Sequence, residues 1–156
     1  ALVETDPDNP YFLELRGQIL LESGRPDEAL PDLRRASELT FNQPLIASMF
    51  GHALIATENS DNFEEAEQVL RAAVAKDRLN PFAWYQLGVV YAERGDMPRA
   101  HLASAERQVM TRDYLAALRN AQMAESALPV GSADWLRAQD VRLQAQAALE
   151  AAREDS

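Results

Sequence analysis

The chain has 156 residues, enough for one domain that buries about two-thirds of its unfolded surface. Its 47% hydrophobic and 26% charged residues give a globular composition, not a disordered one. Twenty-five acids against 15 bases leave a net charge of −10, which disfavours nucleic-acid backbones and anionic membrane surfaces as partners. The absence of cysteine excludes disulfides and thiolate metal sites, and is compatible with cytosol and periplasm alike.

In chain order, "ALVETDPDNP" reads as the tail of an earlier second helix followed by an inter-repeat turn, so the chain is expected to begin inside a repeat of a longer protein. Next comes "NPYFLELRGQILLESGRPDEA", from Asn9 to Ala29. Proline at a first helical turn has no amide to satisfy and a preset φ. Leu13, Gly17 and Leu20 then recur at helical spacing on one face. Gly24 suits the turn that closes this helix. The following helix carries a small-large-small stripe of Ala29, Leu33 and Ala36, and Pro31 inside it is expected to kink it.

The stretch "QPLIASMFGHALIATENSDNFEEA" repeats the design with Gly51 seven residues after Pro44, and the stripe returns as Ala66, Leu70 and Ala73. Ala66 arrives three residues late, so the turn between Glu58 and Asn62 carries an insertion. Glu64 and Glu65, after Asp61 and Asn62, are expected to cap the second helix. A third copy, "NPFAWYQLGVVYAERGDMPRA", aligns with the first without a gap and places Trp84, Leu87, Gly88 and Tyr91 on the packing face. A glycine inside a helix costs roughly 1 kcal/mol against alanine. Its recurrence in register as Gly17, Gly51 and Gly88 is expected to serve close approach of each first helix to an alanine of its second.

The helix from about Met97 to Met110 either closes the third repeat or also opens a degenerate fourth. Ala117, Ala121 and Ala124 then repeat the second-helix stripe, and a last helix runs from a Ser132 cap to about Arg153, covering the terminal apolar face. The longest nearly apolar run, Phe82 to Ala92, is too short to span a bilayer.

Pro10 to Pro44 is 34 residues, and Pro44 to Pro81 is that period plus the insertion. A 34-residue, two-helix period resembles the tetratricopeptide repeat. The expected fold is all-α, a right-handed solenoid of about eight antiparallel helices in a single domain. Residues 1–8 form the tail of a preceding repeat, 9–43 one repeat, and 44–80 a second with a three-residue insertion. Residues 81–112 form a third, 113–131 a degenerate repeat helix, and 132–156 a capping helix. One departure stands out: Arg16 occupies a slot that is apolar in the third copy, where Leu87 sits.

No catalytic residue, metal site or cofactor is expected. His52 and His101 are the only histidines, and no H-E-x-x-H, glycine-rich phosphate loop or nucleophile elbow is present. In this architecture the first helices line a concave face. Its expected residues are Tyr11, Glu14, Gln18 and Leu21 from the first copy, Leu45, Ser48, His52 and Ile55 from the second, and Phe82, Tyr85, Val89 and Glu93 from the third. The slots that hold a carboxylate clamp in chaperone-tail-binding relatives carry Glu14, Gln18, Phe82 and Gln86 here, so that clamp is missing. An aromatic and aliphatic groove with acids at its rim suits an apolar helix or extended segment with basic flanks.

Three stretches carry a narrower likeness: "DPDNPYFLELRGQILLESGRPDEALPDLRRA", "NPFAWYQLGVVYAERGDMPRAHLASAE" and "RDYLAALRNAQMAESALPVGSADWLRAQD". They resemble the C-terminal region of bacterial periplasmic zinc metalloproteases of the BepA/YfgC type. The resemblance implies a periplasmic location and a separate N-terminal domain that performs hydrolysis. It implies a role for this chain in binding that protease domain, assembly partners or clients. The other reading is a free-standing scaffold or adaptor with no enzyme attached.

Overall fold

A computed structural model describes residues 8–156, so the expectation placed on residues 1–7 lies outside the described residues. Among these residues there are eight α-helices and no strand. They divide into two compact units, one ending at Arg78 and the other Leu79–Ser156.

The first unit holds α1 (Pro10–Glu22), α2 (Pro26–Leu39), α3 (Pro44–Ala56), a 3-10 turn (Ser60–Asn62) and α4 (Phe63–Lys76). Neighbouring helices pack as antiparallel hairpins, α1 on α2 and α3 on α4, and α2 also packs on α3. Leu13, Ala36 and Ile46 form one core cluster with Leu39 against it, tying the three helices together. Leu33 and Leu70, the large residues of the two second-helix stripes, are completely buried. Each removes the equivalent of about 1.5–3 kcal/mol of apolar surface from water.

Each first helix starts as the sequence reading expects. Asn9 accepts from the Tyr11 and Phe12 amides, and Pro10 follows at the first helical position. The α1 to α2 turn is closed by Gly24 at φ 75°, which carries no Cβ penalty there. Arg16 resolves its misplacement by a two-point ion pair: Nε and an Nη donate to the two Asp32 oxygens at 2.6 Å. Asp32 is buried on α2, so an arginine in the apolar slot is matched by an acid facing it.

Two local expectations need correction, and the proline of α2 has a plain outcome. Helix α2 does not end at Pro31, which lies inside it on the exposed side, so the proline leaves the helix in one piece from Pro26 to Leu39. Glu64 and Glu65 make no capping box, because no side chain caps α4; Glu65 instead accepts from Arg34 at 2.7 Å, while the Asn62 amide donates to Thr57 Oγ1. Two of the three glycines face leucine, not alanine: an ideal Cβ at Gly17 or Gly51 would lie 2.6 or 2.5 Å from Leu33 or Leu70, whereas one at Gly88 meets Ala103 at 3.6 Å, as expected.

The second unit holds α5 (Pro81–Glu93), α6 (Met97–Met110), α7 (Tyr114–Ala127) and α8 (Ala133–Glu154). Helix α6 packs on both α5 and α7, so it closes one hairpin and opens the next. Leu102, Ala124, Leu128 and Ala138 form a core cluster with Trp135 against it, and Ala105, Ala121 and Val141 form another. Polar pairs lock the last helix: Arg137 donates to the buried Glu106, Arg99 to Asp134 at 2.7 Å, and Arg142 to Glu125. Hydrogen bonding to Asp134, and after it to Asp96, raises the Arg99 guanidinium pKa above its ordinary range. Ser132 caps α8 by accepting from the Trp135 amide.

The cap at Asn80 is the most buried of these starts, and its side chain accepts from the Phe82 and Ala83 amides. Asn80→Ala is expected to cost about 1–2 kcal/mol, the usual worth of a lost cap. Urea unfolding monitored by circular dichroism measures it, and a loss below experimental error would show the cap to be dispensable.

Candidate interaction surface

The expected surface residues fall on α1 and α3 in the first unit and on α5 in the second, and each unit forms its own surface. On α1, Tyr11 is 68% exposed, and Glu14, Gln18 and Leu21 are half-buried beside it. Gln18 donates to Glu22 one turn on, at 2.9 Å. On α3, Leu45 is well exposed while His52 and Ile55 are half-buried. Ser48 does not belong to this surface. It is buried, and its hydroxyl donates to the Pro44 carbonyl at 2.6 Å, one helical turn back, so it is part of the core. On α5, Phe82 is 45% and Tyr85 52% exposed, Glu93 is exposed, and Val89 is half-buried. Gln86, read as a groove position, is buried.

Sequence reasoning missed several exposed apolar side chains. Leu15 and Ile19 sit one and two turns after Tyr11 and are more than half exposed. Leu115 and Met123, half exposed, lie on the open side of α7, where Arg119, Gln122, Met123 and Ser126 line a shallow depression. Periodicity could not separate these from core positions, because an apolar residue at helical spacing reads the same in both places. Also missed was Arg107, whose guanidinium carbon stands 5.5 Å from the Tyr85 ring centroid in a cation–π contact. A signal existed: Arg107 occupies the stripe position held by Ala36 and Ala73 in the earlier repeats.

No group of three or more potential metal ligands stands together among the described residues. Nor is any described helix long and apolar enough to cross a membrane. What these surfaces offer is aromatic and aliphatic area edged with charge, on helices held rigidly by the stripe behind them. That is the make-up of a surface that binds another polypeptide.

The sequence profile of the tetratricopeptide repeat matches residues 1–40 and 50–108, well over half of the chain. The chain belongs to the tetratricopeptide-repeat family. Solved structures agree in fold. The crystal structure of MamA superposes with a TM-score of 0.66 at 21% identity, covering 98% of this chain and 85% of that one. A further crystal structure of the MamA protein gives 0.66 at 21% identity, over 97% of this chain and 75% of that one. No curated protein matches the sequence. Tetratricopeptide-repeat domains bind protein or peptide partners through a non-catalytic scaffold, and this chain is a protein–protein interaction module of that kind.

Proposed function

We propose that each unit of this tetratricopeptide-repeat module binds apolar protein segments through the first helices of its own repeats. The observation that carries the reading is the exposure of large apolar side chains on these helices, Tyr11 and Leu45 in the first unit, Phe82 and Tyr85 in the second. Interface energy concentrates in such aromatic anchors. In the first unit Glu14 and Glu22 stand beside them on α1, which favours basic residues flanking the bound segment.

The larger protein in which the module serves is, on this reading, a periplasmic zinc-dependent protease acting in envelope protein quality control. The resemblance over "RDYLAALRNAQMAESALPVGSADWLRAQD" supports it. The module would then bind the protease domain, its assembly partners or its clients. A free-standing scaffold is the competing arrangement, supported by the match to the repeat family alone. Sequencing the gene upstream separates the two, since the protease reading requires an H-E-x-x-H motif there and its absence would leave the scaffold.

The surface itself is tested by Phe82→Ala combined with Tyr85→Ala. Both side chains are about half exposed, so the melting temperature should hold while capture of the partner segment falls by tenfold or more. Trp84→Ala is the control: this side chain is half-buried among the α5 packing positions, and its loss should lower stability. Full capture by the double variant would move the contact off α5.

A further inference from the structure

The third repeat breaks the small-large-small stripe that the first two keep. Ala29, Leu33, Ala36 and Ala66, Leu70, Ala73 become Ala100, Ser104, Arg107. The structure shows what the exchange does. With serine in place of leucine, an ideal Cβ at Gly88 meets only ordinary contacts, Ala103 Cβ at 3.6 Å and Ser104 Oγ at 3.7 Å. With arginine in place of alanine, a guanidinium lies over Tyr85. A stretch that is sealed apolar packing in the first unit is thus polar and half-buried in the second.

More polar groups gather where α6 meets α7. His101 Nδ1 lies 2.9 Å from Asn120 Oδ1, and the Asn120 amide donates to Gln108 Oε1 at 2.8 Å. Gln108 and Asn120 therefore face one another across two antiparallel helices. The residue before each is rotated by about 100°, in senses that bring both to the same side of the helix pair. Those residues are Arg107 and Arg119. Among the described residues neither has a carboxylate within ion-pair distance, whereas Arg16, Arg34, Arg99, Arg137 and Arg142 all do. In a chain with ten more acids than bases, two arginines without acids on one side of a helix pair leave local positive charge that an outside anion could meet.

We propose that the second unit carries a recess, where α6 meets α5 and α7, that takes the Asp or Glu side chain of a protein segment. Arg107 and Arg119 supply charge-assisted donors, and the Asn120–Gln108 pair offers amide groups beside them. Phe82 and Tyr85 on α5 and Leu115 and Met123 on α7 stand exposed to either side, so apolar residues would flank the acid in both directions. A segment passing across the recess fits that arrangement, and the acid is therefore internal to the segment. This inference rests on the interaction reading above and gives the second unit a preference opposite in charge to that of α1.

The test is a positional-scanning library of octapeptides, acetylated and amidated, bound to the full 156-residue chain. We expect enrichment of Asp or Glu at one position with aliphatic or aromatic residues on both sides. Arg107→Gln with Arg119→Gln should reduce affinity for the enriched peptide by tenfold or more while keeping the apolar preference. Arg119→Glu alone, on the open surface of α7, should reverse the acidic preference and guards against misfolding of the double variant. The proposal is overturned by no enrichment of acids, by the same enrichment in the arginine variants, by binding only of peptides with a free C-terminal carboxylate, or by no binding at all. Loss of all binding in the Phe82→Ala, Tyr85→Ala chain but not in the arginine variants would keep the interaction reading and discard the recess. The reverse pattern would keep the recess and discard the α5 anchors.

Discussion

Gly17→Ala and Gly51→Ala will each lower the melting temperature by several degrees, and Gly88→Ala will leave it unchanged or raise it. All three glycines sit in first helices at the same repeat position. At the first two, a new methyl would lie within 2.6 Å of Leu33 or 2.5 Å of Leu70 side-chain carbons. Both leucines are fully enclosed, so neither can swing aside without displacing its own neighbours. Overpacking of this kind costs about 1–3 kcal/mol. At about 2–4 °C per kcal/mol for a chain of this size, the shift is readily measured.

Gly88 faces Ala103 and Ser104 at ordinary contact distances, so no such clash arises. There the helix-propensity gain of alanine over glycine, up to about 1 kcal/mol, is realised. Differential scanning calorimetry of the three variants decides the matter. Equal destabilisation by all three would mean that α5 and α6 approach as closely as the other two hairpins do.

Arg137→Ala is expected to be the most damaging of the arginine deletions. Its partner Glu106 is 3% exposed on α6. Hydrogen bonding to Glu106, against the opposing effect of burial, holds the Arg137 guanidinium pKa above its ordinary value. Removing one member of a buried pair typically costs 3–5 kcal/mol, because the charge left behind stays out of water. Arg137 is about one-third exposed, which screens the pair and brings the expected loss to about 2 kcal/mol. Arg25→Ala provides the contrast, since Arg25 and Glu28 pair on the open surface one turn apart and their loss should fall within experimental error. Urea titration of both variants measures the difference. A loss from Arg137→Ala no larger than that from Arg25→Ala would show that α8 is held by its apolar contacts alone.

The sequence by itself determined the repeat, its period and the eight helices of the described residues, because these depend on signals local to each helix. Asn-Pro starts, the glycines at Gly24 and Gly95 and the alanine stripes each act within a turn or two of chain. The family followed from their spacing. The charged pairs were not legible in that way. Arg16 looked like an intruder in an apolar slot until α2 brought Asp32 against it, and Glu65 looked like a cap until Arg34 reached it from 31 residues away. Ser48 had a groove-facing spacing, yet its side chain is enclosed in the core.

Tertiary structure alone decided which apolar residues stay in water. Leu15 and Ile19 follow the same helical spacing as residues that vanish into the core, and what separates them is whether a neighbouring helix lies over that face. It also decided the meaning of the third stripe. Ser104 and Arg107 are merely imperfect repeats in one dimension. In three, they loosen the packing under Gly88 and place a cation on Tyr85, because a side chain's partners across a helical hairpin are set by how two helices face each other, which no single helix's sequence contains.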